Sequence, residues 1–150
     1  MNLNIDLCSE EMKKPKPENA LNLPFGTIFT DHMFTMKYSE DKWHSPTISP
    51  YKALELDPAA LVLHYGQGIF EGMKAYRRND GVYLFRPEEN MARMNRSARR
   101  MVMAEFDEEQ VLEYLRELIR IEYDWIPTQK GTSLYIRPTM IAIEPKLGVK

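Results

Sequence analysis

Tyr135 and Arg137 stand two residues apart in a run, Thr132 to Ile143, that reads as a β-strand, so their side chains fall on one face. A phenol beside a guanidinium is a good receptor for a carboxylate or phosphate, because the guanidinium presents a planar fork of donors. The same pair would also suit the wet face of an ordinary sheet. Earlier in the chain, His64-Tyr65-Gly66-Gln67-Gly68-Ile69-Phe70-Glu71-Gly72 sets glycines among aromatics, and glycine permits sharp turns and close backbone approach to a ligand. This run is not a dinucleotide fingerprint: the third glycine is missing at the required offset, and no βαβ context surrounds it. His64 has no neighbouring Cys and no second well-spaced His, so a structural role suits it better than metal ligation or general-base work. Arg93, Arg96 and Arg100 gather on one side of a helix, roughly opposite its methionines. That side is either a solvated basic face or a seat for an anion, and periodicity does not choose between them.

The elements that must position these residues are legible as patterns. Residues 9–19 are charged and proline-rich, which predicts a surface arm. Gly26 to Tyr38 and Ser45 to Leu56 flank Ser39-Glu40-Asp41-Lys42 as the strands of a hairpin. Asp57-Pro58 signals a short helix or turn running toward Tyr65, with the carboxylate as cap and the proline where an N–H is not needed. Met73 to Arg78 and Val82 to Phe85 bracket Asn79-Asp80-Gly81 as a second hairpin. Pro87 opens a helix with a stripe of Met91, Met94, Ala98, Met101 and Val102. Asp107 with Gln110 starts another, whose core face is Val111, Leu112, Leu115, Leu118, Ile119 and Tyr123, and which Pro127 and Gly131 stop. Thr132 to Ile143 reads as a single strand with Leu134, Ile136, Met140 and Ala142 inward. The order predicts an α+β domain with a mostly antiparallel twisted sheet covered by helices.

Composition agrees. A chain of 150 residues suits one domain, burying roughly 70% of the surface its unfolded form exposes. Hydrophobic residues make up 43% and charged residues 28%, ordinary globular usage. A net charge of −2 and a pI near 6.0 give no field that would gather nucleic acid or an anionic membrane. No run approaches the ~20 apolar residues of a membrane-spanning helix. Cys8 is the sole cysteine, and no apolar stretch of signal-peptide length lies between Met1 and Pro17, so a reducing, cytoplasmic setting is expected.

Several long motifs then occur together and in order. Leu63-His64-Tyr65-Gly66-Gln67 and Phe70-Glu71-Gly72-Met73-Lys74-Ala75-Tyr76-Arg77 are accompanied by Phe25-Gly26-Thr27, Thr30-Asp31-His32-Met33, Leu84-Phe85-Arg86-Pro87 and Asn90-Met91-x-Arg93-Met94. Gly131-Thr132-Ser133-Leu134-Tyr135-Ile136-Arg137-Pro138 and Glu144-Pro145-x-Leu147-Gly148-Val149 complete the set. From about Phe25 to Val149 the chain closely resembles branched-chain amino acid aminotransferases, the fold type IV class of pyridoxal 5'-phosphate enzymes.

The resemblance implies roles. Arg93 matches the arginine that binds the cofactor phosphate. Phe25, Phe70 and Tyr135 match aromatics lining a pocket for an aliphatic side chain. Arg137 matches the residue that helps receive the distal carboxylate of glutamate or 2-oxoglutarate. Tyr65, Leu147 and Val149 match positions contributed across a homodimer to the other subunit's pocket. It implies amino transfer from leucine, isoleucine or valine to 2-oxoglutarate. The division it implies is an N-terminal arm, 1–24, and a small domain, 25–150, incomplete at its C-terminus. The Schiff-base lysine of this family sits in a further domain, and no lysine here occupies a matching motif, so these residues alone are expected to be catalytically inactive. Two alternatives accompany this reading: another fold type IV enzyme, a D-amino acid aminotransferase or aminodeoxychorismate lyase, or a non-catalytic assembly module.

Overall fold

A computed structural model describes residues 1–148 of the chain. Its architecture is α+β, with β-ladders that are antiparallel apart from one short parallel pair. The strands β2 (His32–Ser39) and β3 (Lys42–Pro50) form the first expected hairpin. Both turn residues, Glu40 and Asp41, have positive φ (51° and 56°), the twist that matches right-handed strands in a two-residue loop. Both strands are shorter than expected at their far ends. Phe25 and Gly26 (φ 74°) form a turn, and β3 stops at Pro50, after which the chain runs without regular structure. Ahead of them β1 (Asn4–Ile5) lies parallel to β3, a pairing that the sequence pattern did not indicate.

Two buried acidic residues tie this N-terminal segment down. Glu122 accepts from the backbone N–H groups of His32 at 2.9 Å and Asp31 at 3.3 Å, and its carboxylate also meets His32 Nδ1. His32 Nε2 accepts from the N–H of Cys8 at 3.0 Å, so the ring carries its proton on Nδ1. Asp31 accepts from the N–H of Lys14 and from the indole of Trp125 at 2.9 and 2.8 Å.

The short helix α1 (Leu61–Tyr65) follows Asp57, whose carboxylate accepts from the N–H of Ala59. Then come β4 (Gly68–Phe70), β5 (Met73–Arg78) and β6 (Gly81–Leu84). The β5–β6 hairpin turns at Asn79-Asp80 as expected, and Gly81 opens β6 with φ 154°. Along β5 the alternation buries Met73 and Ala75 and turns Lys74 and Tyr76 outward.

The two long helices are α2 (Pro87–Arg100) and α3 (Glu108–Ile121). Asp107 caps α3 by accepting from the N–H of Gln110 at 2.9 Å. Met91, Met94 and Ala98 of α2 meet Leu112, Leu115 and Ile119 of α3, with Ile69, Met73 and Ala75 from the strands, in one core. Two expected core residues lie elsewhere. Val102 is 88% exposed, because α2 ends at Arg100 and the chain reverses through Val102 in the left-handed region. Tyr123 falls beyond the end of α3, in a single 3₁₀ turn, and is exposed. Conversely Tyr114, not assigned to the core face, is buried against Phe34 and donates to the carbonyl of Met1.

The expected strand from Thr132 to Ile143 is two strands. β7 (Leu134–Ile136) pairs with β5, whereas β8 (Thr139–Ile141) pairs with β4. The break falls at Arg137-Pro138, where proline has no N–H to donate to a ladder. The Pro138 carbonyl instead accepts from the N–H of Glu71 at 2.9 Å.

Candidate functional site

The break between β7 and β8 brings together most of the residues singled out from the sequence. Tyr135 lies opposite Lys74 on the outward face of the ladder β6-β5-β7. Its hydroxyl accepts from Arg137 Nη2 at 3.0 Å and Nε at 3.2 Å, so the shared face inferred from their spacing is a direct contact. The Arg137 guanidinium also lies over the Phe70 ring, 4.4 Å from its centre. Phe25 meets the Tyr135 ring edge-on at 5.0 Å. Phe25, Tyr135, Arg137 and Phe70 are thus one continuous cluster, with Phe25 and Phe70 largely exposed. Gly72 sits beneath the ring, so close that any Cβ there would overlap the Tyr135 hydroxyl.

On the other side of Tyr135 a shallow hollow is lined by Gly72, Lys74, Asn90 and Arg93. Arg93 does not stand free on a basic face. Its Nε and Nη2 donate to the two oxygens of Glu71 at 2.6 and 2.7 Å. The Glu71 side chain is only 5% exposed. It also accepts from the Asn90 amide at 3.1 Å and, more weakly, from the N–H of Gly72. The Arg93 hydrogen bonds, helped by Asn90, hold the Glu71 carboxyl below its ordinary range despite its burial, and the same pairing pushes Arg93 up. Glu71 thus takes the Nε–Nη2 edge of the guanidinium and leaves the adjoining Nη1–Nη2 edge uncommitted, on a residue that lines the hollow. Three of its N–H groups have no acceptor among the described residues, and such a donor set fits a phosphate group.

Tyr65 and Leu147 lie apart from this cluster. Both are exposed, and Tyr65 has His64 as its ring neighbour. Val149 lies outside the described residues. His64 Nε2 donates to the Pro58 carbonyl at 2.8 Å, a local contact just ahead of α1. Among the described residues, no group of His, Cys, Asp and Glu could hold a metal ion, and no helix is long and apolar enough to cross a membrane. Glu71 and Asn90 were read only as parts of motifs. The signal that could have marked Glu71 is a carboxylate between β4 and β5 that falls in step with the buried Ile69 and Met73.

The α+β frame is that of fold type IV branched-chain aminotransferases, and solved structures share it. The branched-chain amino acid aminotransferase of Escherichia coli superposes with a TM-score of 0.57 at 27% identity, over 69% of this chain and 33% of that one. A T.th. branched-chain amino acid aminotransferase, complexed with N-(5'-phosphopyridoxyl)-L-glutamate, does so with 0.56 at 29% identity, over 67% and 32%. In sequence, branched-chain-amino-acid aminotransferase 2 of Bacillus subtilis (strain 168) is 54% identical over 149 residues, 98% of this chain. The mitochondrial branched-chain-amino-acid aminotransferase of Mus musculus is 48% identical over the same share. No family model matches the chain. The chain is a homologue of part of the branched-chain amino acid aminotransferases, and spans about 40% of the length of the Bacillus relative and 37% of the mouse one.

Proposed function

We propose that this chain supplies the substrate-recognising and phosphate-anchoring side of a pyridoxal 5'-phosphate-dependent branched-chain aminotransferase. The observation that carries the reading is the grouping around Tyr135: an aromatic cluster crowned by Arg137 on one side, and on the other a hollow with the open edge of Arg93. Bound pyridoxal phosphate would supply the electron sink for amino transfer, and Arg93 would hold its phosphate through that open edge.

Phe25, Phe70 and Tyr135 offer apolar surface to the side chain of leucine, isoleucine or valine. Arg137, held over Phe70 by the Tyr135 hydroxyl, receives the distal carboxylate of glutamate or 2-oxoglutarate. Tyr65, Leu147 and Val149 complete the pocket of a second copy in a homodimer, a role supported for the first two by their exposure. Residues 1–24 form an arm and 25–150 the small domain. None of the catalytic groups is among them, since the Schiff-base lysine belongs to a further domain. A cytoplasmic setting is part of the same reading and rests on the single cysteine.

The test joins residues 1–150 to the remaining part of the Bacillus relative and follows amino transfer to 2-oxoglutarate. Leucine, isoleucine and valine should be donors and D-alanine should not, whereas residues 1–150 by themselves should transfer nothing. Preference for D-alanine overturns the substrate assignment.

A further inference from the structure

The guanidinium of Arg93 has five N–H donors in one plane, and the direction in which it offers them depends on what holds it. Its side chain is 58% exposed, so packing does little to orient it. Glu71 does the orienting. It is itself fixed on every side: buried, gripped through its backbone N–H by the Pro138 carbonyl, and gripped through its carboxylate by Asn90. Asn90 also donates to the Gly72 carbonyl at 3.2 Å, which ties α2 to the start of β5.

Resting on the reading of Arg93 as the phosphate residue, we propose that Glu71 is a positioning residue: by taking the Nε–Nη2 edge of Arg93 it aims the Nη1–Nη2 edge at the cofactor phosphate. This role separates cleanly from simple electrostatics. A buried carboxylate behind an anion site opposes anion binding through its charge, so removing that charge should strengthen binding if charge alone matters. If orientation matters more, removing it should weaken binding, because a freely rotating guanidinium must be ordered by the ligand itself.

The experiment uses the purified protein and two non-aldehyde probes, pyridoxine 5'-phosphate and pyridoxine, which cannot couple to surface lysines. The ratio of their affinities reports the phosphate contact alone, and a fold defect that weakens both leaves it unmoved. Arg93→Ala should collapse the ratio. Glu71→Gln should lower it about tenfold, the worth of one charge-assisted hydrogen bond. Glu71→Asp, which keeps the charge but draws the carboxylate back by one methylene from the two nitrogens, should fall between, and serves alone if the Gln variant does not fold. A ratio that stays level or rises in the Glu71 variants, while Arg93→Ala lowers it, overturns the positioning role and leaves Arg93 as the phosphate residue. A ratio that Arg93→Ala leaves unchanged overturns the reading of Arg93 itself, and the positioning role with it.

Discussion

Replacing Gly72 with alanine should disturb the aromatic cluster while leaving the core in place. The added Cβ would overlap the Tyr135 hydroxyl and come within 3.1 Å of Cζ and 3.4 Å of Cε2. Gly72 does not adopt the left-handed backbone that alanine would resist, so the whole effect is steric. The ring has little freedom to yield, with Phe25 edge-on at 5.0 Å and Arg137 hydrogen-bonded to the hydroxyl at 3.0 Å. Relief requires a shift of roughly 1 Å, enough to spoil the Arg137 contacts, which at this exposure contribute about 1 kcal/mol. Overpacking adds about 1 to 2 kcal/mol. A loss of about 2 to 3 kcal/mol corresponds to a fall in Tm of about 4 to 12 °C for a chain of this size.

Thermal unfolding followed by circular dichroism measures the fall, and a double variant tests its cause. Tyr135→Phe deletes the overlapping oxygen. In the Gly72→Ala background it should therefore restore part of the lost stability, although in the native background it removes the Arg137 hydrogen bonds and can only cost. If the double variant is no more stable than Gly72→Ala alone, the clash is not with the hydroxyl and the steric reasoning is wrong.

Two further outcomes follow from the fold. Val102 closes α2 in the left-handed region (φ 54°), with the N–H of Met103 reaching back to the Ala98 carbonyl at 2.8 Å and that of Val102 to Arg99, a position where glycine is the usual residue. Val102→Gly should relieve about 1 kcal/mol of strain and raise Tm by about 2 to 4 °C; a fall would show that the valine side chain is stabilising in this conformation. Acid should destabilise the protein through Glu71 and Asp31. The Arg93 pairing lowers Glu71, and for Asp31 burial is outweighed by the Lys14 N–H and the Trp125 indole, so both are depressed when folded. Their contribution is therefore complete above the ordinary carboxylate value of about 4 and is lost as pH falls below it toward the folded values. Urea unfolding across this range should show a shallower decline for Asp31→Asn than for the native chain, and parallel declines would contradict the assignment.

What was legible in the sequence is what short-range physics decides. The two hairpins, the Asp107 cap and the Met91-Met94-Ala98 stripe depend on residues a few positions apart, and each is where its pattern put it. Periodicity went astray where an element ended for a reason outside itself. Val102 continues the helical stripe in sequence, yet the chain must reverse there to bring Phe106 into the core, where Asn95 receives its N–H and donates to its carbonyl. Thr132 to Ile143 alternates like one strand, yet its halves pair with different partners because Pro138 cannot donate to a ladder.

The site divides the same way. Parity placed Tyr135 and Arg137 on one face, and they touch. Spacing left Arg93 either solvated or holding an anion, and the resemblance implied the anion. Neither showed that half of the guanidinium is already taken by a carboxylate 22 residues away. Residue type decides how many hydrogen bonds an arginine can donate, but which of them remain for a ligand depends on how the strand end carrying Glu71 packs against α2. That packing is set by Pro138 and Asn90, from two other parts of the chain, so the aim of the fork is a property of the tertiary structure alone.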